Sequence, residues 1–414
     1  MKRAGLALIG LLIAVGGLRA VAQTANPIIP GQIAYIGTDF NVYTIDDEER
    51  ITITDDAGVS AAAVRFYQFP VWSTDGRLAY FETEVNTQQE RSAEVFISAD
   101  GRAPGTSVYE AAGENFTYAY WSPRGCGEAC RDLAVLLGSQ QANGFVVNVI
   151  RDQGEQPSVT QVGTGSPFYF SWSPDGQQMV WQRGNTSLDI YDINAGAITV
   201  TLAERPAGFF APAWSPVDDR VLFGMANGRA TDLAVVANGV ITSFASSLAS
   251  PIWFSWSPDG NQIAYIDAEN PLQVADAVTG EVIAESDTSE MIAFFWSPDS
   301  RSIAYVSPAQ QPGQFNAKPD SQGSSSELTW SILDVASGNI RRYGSFTPTA
   351  DMLYLLTYFD QFAQSHRVWS PDSRHLIYSE LSANGTPLIM LLDTQSNVVP
   401  LSIAEGYFGV WSFN

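Results

Sequence analysis

Side chains that could perform chemistry are few in this sequence. It contains two histidines, His366 and His375, and two cysteines, Cys126 and Cys130. It has no Gly-x-Ser-x-Gly nucleophile elbow and no His-Glu-x-x-His metal helix. It also lacks a phosphate loop, a dinucleotide fingerprint and a calcium loop. These absences favour a protein that binds a partner without transforming it, so we predict no catalytic residue, no metal and no cofactor.

The two cysteines lie close together in the segment Arg124-Gly-Cys-Gly-Glu-Ala-Cys130. In an oxidising compartment an isolated close pair most simply forms a disulfide, which here would pin an enlarged hairpin. A redox-active or metal-binding pair is the alternative. However, the spacing is not Cys-x-x-Cys, and no histidine or second cysteine pair completes a metal set. We therefore predict a structural disulfide between Cys126 and Cys130.

The N-terminus has the pattern of a secretory signal peptide. Met1-Lys-Arg3 is basic, residues 4–18 are apolar, and Ala20-Val-Ala22 is a small-x-small cleavage site. We predict cleavage after Ala22, a short linker over residues 23–30, and a secreted or periplasmic protein with no later membrane span. An uncleaved anchor is the alternative.

The chain is strongly acidic, with 44 Asp and Glu against 21 Lys and Arg and a net charge of −23. The predicted signal peptide carries three of the cations and no acid, so its removal would leave a net charge of −26. Such a surface repels nucleic acids and anionic membranes. We expect a monomer whose partners are proteins, peptides or glycans.

The elements that would position any site are repeated units. Trp-Ser occurs eight times, and most copies continue as Pro-Asp-Gly or a close relative, followed by a short apolar strand. The interval between tryptophans is 40 to 51 residues, except for one step of 73. A period of this length with one aromatic-plus-turn motif per unit predicts a β-propeller. The eight tryptophans are Trp72, Trp121, Trp172, Trp214, Trp256, Trp296, Trp369 and Trp411.

The unit at residues 167–205 shows how one blade forms. An aromatic strand ends at Trp172-Ser173, and Pro174-Asp175-Gly176 then turns the chain, because proline presets φ and glycine accepts a left-handed conformation. Three further short apolar strands follow, so each unit supplies four antiparallel strands. One such sheet cannot bury both faces alone, and the tryptophan suits the seam between neighbouring blades.

The two termini complement each other. Residues 32–54 supply three strands without a Trp-Ser strand, and residues 407–412 supply a Trp-Ser strand without followers. Joined, they make one blade and remove the open edges of the ring. We therefore predict an all-β propeller over residues 31–414 with eight blades, in which residues 407–412 pair with residues 32–36. Seven blades are the alternative, if one unit is degenerate.

Two insertions account for the 73-residue step. Residues 307–327 are polar and rich in Pro, Gly and Ser, which indicates a loop. In residues 346–364, Thr347 suits a helix cap, Pro348 suits a first helical position, and apolar residues then recur at helical spacing. We predict one short helix near 348–358 that lies across a face of the propeller.

One first strand differs from the others. Three residues before its tryptophan it carries His366, followed by Arg367, where the other copies carry apolar or aromatic residues. First strands line the central channel, so two interpretations stay open. The pair forms a polar ligand site at the channel mouth, or it forms an internal network that ties the helix to the ring, with Asp360 holding Arg367. The candidate ligand-binding residues are His366, Arg367, Asp360, Tyr118, Tyr169 and Trp253.

The repeated motif, as in the run from Trp256 to Tyr265, resembles the PD40, or WD40-like, repeats of TolB-type periplasmic propeller proteins. It is also similar to the propeller domains of prolyl oligopeptidase and dipeptidyl peptidase IV relatives. The resemblance covers residues 31–414 and implies a β-propeller, but one fold hosts many activities. In the peptidase relatives a hydrolase domain follows the propeller. This chain stops at Asn414, so peptidase activity is not expected.

These observations predict a secreted or periplasmic, non-catalytic binding or scaffold propeller for a protein, peptide or glycan partner. One alternative is a hydrolase or lyase with its site in the propeller channel, since propellers host such enzymes. The other is a regulatory propeller that works with a separately encoded peptidase.

Overall fold

A computed structural model of the chain describes residues 29–47, 49–127, 130–152, 157–166, 168–183, 187–203, 206–208, 210–309 and 327–414. The predicted signal peptide, most of the linker and most of the 307–327 insertion lie outside the described residues. The described part is mainly β-sheet, with two short helices.

Along the chain the strands are β1 (Ile33–Gly37), β2 (Val42–Ile45), β3 (Arg50–Thr52), β4 (Gly58–Val59), β5 (Ala63–Trp72), β6 (Leu78–Asn86), β7 (Arg91–Ser98), β8 (Thr106–Ala112), β9 (Glu114–Gly127), β10 (Cys130–Ser139), β11 (Gly144–Asp152), β12 (Ser158–Gly165), β13 (Phe168–Trp172), β14 (Gln178–Arg183), β15 (Ser187–Asp192) and β16 (Ala197–Ala203). They continue as β17 (Ala213–Trp214), β18 (Val221–Asn227), β19 (Ala230–Ala237), β20 (Val240–Leu248), β21 (Trp253–Trp256), β22 (Gln262–Ile266), β23 (Gln273–Asp276), β24 (Val282–Glu285), β25 (Ala293–Trp296), β26 (Ser302–Pro308), β27 (Leu328–Asp334), β28 (Ile340–Phe346), β29 (His375–Leu381), β30 (Pro387–Asp393) and β31 (Leu401–Trp411). The helices α1 (Ala350–Thr357) and α2 (Phe359–Phe362) lie between β28 and β29.

Consecutive strands pair antiparallel to form the blades of a propeller. Strands β4 to β8 make a five-stranded sheet, and β9–β12, β13–β16, β17–β20, β21–β24 and β25–β28 each make a four-stranded sheet. A six-stranded sheet has the order β29-β30-β31-β1-β2-β3. The described chain therefore has seven blades, which confirms the propeller and the seven-blade alternative.

The expectation of eight separate blades is wrong, because the last two Trp-Ser units share one sheet. Strand β31 pairs through Leu401 to Glu405 with β30 and through Gly406 to Trp411 with β1. It is thus the outer strand of one unit and the inner strand of the next, with no turn between the two roles. The first strand of the Trp369 unit is reduced to isolated bridges.

Both ends of the chain close the ring. Ile33 pairs with Trp411 and Ile36 with Phe408 in the antiparallel ladder of β1 and β31. Next to the ladder, the main-chain nitrogen of Ser412 donates to the carbonyl of Gln32 over 2.7 Å. The predicted pairing of the two termini is confirmed. Closure leaves the ring without the unpaired edges that a linear array would have.

The repeated tryptophans fasten neighbouring blades. They are buried, and four of their indole nitrogens donate to the carbonyl of the residue before the tryptophan of the preceding unit, over 3.0 to 3.1 Å. Each hydrogen bond fixes the relative position of two neighbouring blades, which apolar packing alone would not specify. These bonds run from Trp121 to Val71, from Trp172 to Tyr120, from Trp256 to Ala213 and from Trp369 to Phe295.

The Ser-Pro-Asp-Gly segment is a self-contained turn. The Ser173 hydroxyl donates to Asp175 over 2.6 Å and accepts from the main-chain nitrogen of Gln178, while Gly176 has φ of 71°. Only glycine takes that backbone conformation without steric cost. Serine and aspartate of the motif are therefore structural. The same hydroxyl–carboxylate bond joins Ser73 to Asp75, Ser257 to Asp259, Ser297 to Asp299 and Ser370 to Asp372.

Two of these turns carry serine in place of the glycine. Ser300 and Ser373 keep positive φ values of 62° and 59°. Each hydroxyl accepts a hydrogen bond from the main-chain nitrogen of an aspartate in the preceding unit, Asp259 or Asp299. We infer that this bond offsets the strain of a non-glycine residue in the left-handed region. It also links successive turns around the channel mouth.

The predicted helical insertion is present, and α1 begins at Ala350. Its N-cap is Thr349, whose hydroxyl accepts from the main-chain nitrogen of Met352 over 3.2 Å. The expected cap at Thr347 is wrong, because the chain around Pro348 is still extended and bridges to Glu380. The apolar face of α1, which includes Leu355 and Leu356, is fully buried.

Candidate functional site

The helical insertion closes one end of the central channel. The ring of Phe362 packs against Phe69 and Tyr118, with centroids 5.6 and 5.1 Å apart. The ring of Phe359 packs against Phe294 and Trp253 at 5.0 and 6.4 Å. These partners belong to the inner strands of four different blades. The helices therefore fill the channel, which is a deeper position than the expected one across a face.

Gln361 binds the inner strand β13 through both atoms of its side-chain amide. Its Oε1 accepts from the nitrogen of Phe170 over 3.0 Å, and its Nε2 donates to the carbonyl of Phe170 over 2.8 Å. The Tyr118 hydroxyl donates to the carbonyl of Gln361 over 2.9 Å. A buried glutamine here satisfies main-chain groups that no further strand reaches.

Asp360 also serves the junction of helix and ring. Its Oδ2 accepts from the main-chain nitrogen of Ala211 over 3.1 Å. Burial raises the pKa of Asp360 to about 6, against an ordinary 3.8, and the main-chain donors oppose that shift. Within the described chain it makes no ion pair with Arg367, so that expected pairing is wrong. The carboxylate binds instead to the main chain just before β17.

His366 is buried at the point where the insertion rejoins the ring. Its Nδ1 lies 2.7 Å from the Ser365 hydroxyl, and its Nε2 lies 3.5 Å from the carbonyl of Phe69. Aromatic rings of Phe362 and Phe408 surround it at 4.9 and 6.0 Å. Burial lowers the pKa of His366 to about 3, so the imidazole is neutral at physiological pH.

At the opposite end the channel opens into a cavity of about 300 Å³, which we call the mouth pocket. Its wall includes the residue immediately before the tryptophan in six of the eight Trp-Ser strands. Five of those tryptophans and five prolines that follow a Trp-Ser pair extend the wall outward. Described residues of this wall include no aspartate or glutamate. The six residues are Tyr120, Ser171, Ala213, Ser255, Phe295 and Val368.

Strand periodicity explains why the channel has two different ends. Side chains two residues apart on a strand point the same way, about 7 Å apart. In the strands that end at Trp121 and Trp256, the residue three before the tryptophan, Tyr118 or Trp253, faces the helices, whereas in six strands the residue one before it lines the mouth pocket. His366, three before Trp369, contacts Phe362 of the helices and also reaches the pocket wall. Tyr169 lies at the helix-filled end of the channel. Burial raises its pKa, and the nearby ionisable groups of Asp360 and Tyr358, which belong to the insertion, raise it further.

Arg367 brings the only positive charge to the described wall of the mouth pocket. Its guanidinium carbon lies 3.9 Å from the ring centroid of Phe413, a cation–π contact. The carbonyl of Arg367 accepts from the nitrogen of Trp411 over 2.9 Å, which fixes its main chain. Burial lowers the pKa of Arg367 to about 10, so the group stays charged at neutral pH. In the part of the chain that the structure describes, no carboxylate pairs with it.

The predicted candidates thus fall into two groups. Arg367 and His366 line the mouth pocket, whereas Tyr118, Tyr169, Trp253 and Asp360 lie at the helix-filled end. Tyr120 and Phe413 were missed as pocket residues. The alternation of the strand around Trp121 would have placed Tyr120 inward, but no sequence signal marks Phe413.

Cys126 and Cys130 form a disulfide, with Cα atoms 5.1 Å apart. Asp132 lies beside them, and its carboxylate is 3.5 Å from the Cys126 sulfur. With both sulfurs bonded to each other, this group offers no thiolate to a metal.

Comparisons with known proteins identify the fold. No protein-family model matches the chain, and no curated protein does. Structures similar in fold include a eukaryotic initiation factor, at 13% identity over 92% of this chain and 98% of that chain, with a TM-score of 0.52. TolB from Acinetobacter baumannii is 13% identical over 85% of this chain and 82% of its own, with a TM-score of 0.41. A mitotic checkpoint complex chain is 17% identical over 72% of this chain and 86% of that chain, with a TM-score of 0.42.

At these identities the likeness shows the fold alone. The chain is a β-propeller, as the repeat motif predicts. No helix among the described residues is long and apolar enough to cross a membrane.

Proposed function

We propose that this protein is a non-catalytic binding propeller of the secreted or periplasmic space, which holds a protein, peptide or glycan partner at the mouth pocket. The observation that carries the proposal is the pocket itself: a cavity of about 300 Å³ with apolar walls and one unpaired guanidinium. A concave, mostly apolar site with few polar groups is the usual form of a ligand pocket.

Binding suits this pocket better than catalysis. The nearest candidate base, His366, has its two ring nitrogens directed at Ser365 and at the carbonyl of Phe69. Its pKa of about 3 makes it a poor proton acceptor at neutral pH. In the described structure the helices close the channel behind the pocket, so we expect a partner to enter from the mouth.

The proposed compartment rests on other features. The basic and apolar start of the sequence has the form of a signal peptide, and the close cysteine pair suits an oxidising space. A net charge of −23 keeps such a protein soluble and disfavours anionic partners of high charge, such as nucleic acids.

Filling the pocket tests the proposal. Ser255 lines the mouth, and Ser255→Phe would place a ring in the cavity. Ser243→Phe is the matched control, because Ser243 is exposed on the outer strand β20. The full chain and both variants are applied to a peptide array and a glycan array, after circular dichroism and melting show that each variant folds.

We expect the wild type and Ser243→Phe to bind the same array members and Ser255→Phe to lose them. Equal binding by Ser255→Phe would exclude the pocket as the site. No binding by the wild-type protein to either array would contradict the proposed role.

A further inference from the structure

The geometry points to a peptide with a free C-terminal carboxylate as the ligand of the mouth pocket, bound through Arg367. This inference rests on the proposed function and names the ligand class of that same site. The peptide's last side chain would lie against the tryptophan and proline walls, and its preceding residues would leave through the mouth.

Arg367 is already arranged for such a ligand. Phe413 stacks on one face of the guanidinium at 3.9 Å, and the hydrogen bond from Trp411 fixes the main chain. Nine arginines among the described residues have a carboxylate partner within 4.0 Å. The described arginines without such a partner are exposed, except Arg367, which is half-buried. A partly desolvated cation without a counter-charge is costly, so an incoming anion gains more here than at the surface.

The charge of the surroundings selects a monoanion. Among the described residues only one cation, Arg367, faces the cavity, and its planar fork matches the two oxygens of a carboxylate. Three exposed aspartates, Asp175, Asp259 and Asp299, each follow directly on a proline that lines the pocket. Negative charge at the rim disfavours a phosphate dianion and favours a ligand whose outer part is neutral or basic.

The size and walls of the pocket favour a peptide end over a free small acid. A volume of about 300 Å³ is at the lower end for ligand sites, which leaves room for one or two residues. Indole and proline surfaces accept an apolar side chain. Acetate alone would bond to the guanidinium but leave those walls in contact with water.

The test compares acids with amides. The probes are N-acetyl-Ala-Ala-Phe as the free acid, the same peptide as its C-terminal carboxamide, and sodium acetate. Binding to the full chain is measured by calorimetry and by quenching of the indole fluorescence of the mouth tryptophans. We expect the acid to bind about 10- to 100-fold more tightly than the amide, because only the acid makes charge-assisted hydrogen bonds.

Two arginine variants locate the effect. Arg367→Gln should reduce the preference for the acid to less than about threefold. Arg50→Gln is the matched control, because Arg50 also stacks on an aromatic ring, that of Tyr43 at 4.1 Å, but contributes nothing to the mouth pocket. It should keep the full preference. The comparison of acid and amide on the wild-type protein needs no variant, so it stands even if Arg367→Gln does not fold.

Equal binding of acid and amide would overturn the carboxylate inference while leaving the proposed binding role intact. Acetate that binds as tightly as the peptide acid would overturn the peptide, because the site would then hold an anion only. Acid preference retained in Arg367→Gln would also overturn the inference. The array experiment with Ser255→Phe tests the binding role separately, so the two failures are distinguishable.

Discussion

Replacing Gln361 should destabilise the whole ring, because this one side chain completes the hydrogen bonding of an inner strand. Gln361→Met keeps the volume of the side chain but leaves the nitrogen and carbonyl of Phe170 without partners. Both groups are buried, and an unpaired buried group costs about 1–3 kcal/mol. The two together should cost roughly 3 kcal/mol, after part of the loss is relieved by small shifts of the helix.

The change in melting temperature follows from the size of the protein. An unfolding entropy of about 2.1 cal/mol/K per residue gives roughly 0.8 kcal/mol/K for a chain of this length, so a loss of 3 kcal/mol lowers Tm by about 4 °C. Scanning calorimetry at pH 7 measures it. Gln364→Met is the control, because Gln364 is only half-buried and its amide reaches the carbonyl of Pro212 at 3.3 Å.

We expect the control to lower Tm by less than about 1 °C, since partly exposed groups can bond to water instead. A Tm for Gln361→Met within 1 °C of the control would refute the reasoning. It would mean that the inner strand does not depend on the inserted helices for its hydrogen bonds.

Three further outcomes are expected. Asp360→Asn should raise Tm at pH 7 by up to about 3 °C and leave it unchanged at pH 4. The folded-state pKa of about 6 lies above the ordinary 3.8, so the stability of the wild type falls as pH rises from about 4 to 6. A change in Tm on Asp360→Asn that is equal at pH 4 and pH 7 would contradict this. Deleting residues 406–414 should lower Tm by at least about 5 °C, because three buried apolar side chains of β31 are lost; an unchanged Tm would argue against ring closure. Thiol labelling of secreted, denatured, unreduced protein should find neither Cys126 nor Cys130 free, and two reactive thiols would exclude the disulfide.

The repeat could be predicted from the sequence because each turn is complete in itself. Ser173 bonds to Asp175 and to its own chain five residues on, so the motif needs no distant partner. The fusion of the last two blades could not be predicted. Nothing within Leu401–Trp411 marks where one blade ends, and the pairing with β1, distant in sequence, decides it.

The candidate site was predictable in part. Arg367 stood out because the aligned strands carry apolar residues, and the structure places it in the mouth pocket. Its expected partner, Asp360, points to Ala211 instead, because the direction of a carboxylate at a helix end depends on how that helix docks. Phe413 was missed because its position follows from ring closure and not from the repeat.

Ring closure also sets the order of events during synthesis. Strand β1 leaves the ribosome early, but its partner in β31 lies about 380 residues later. At about 5–20 residues per second, the first strands wait roughly 20 to 75 s for that partner. The earlier blades can form one by one meanwhile, yet the ring stays open and its first strand keeps an unpaired edge. A ribosome that stalls before β31 has been made therefore releases an open, edge-exposed arc, and quality control would have to recognise that arc.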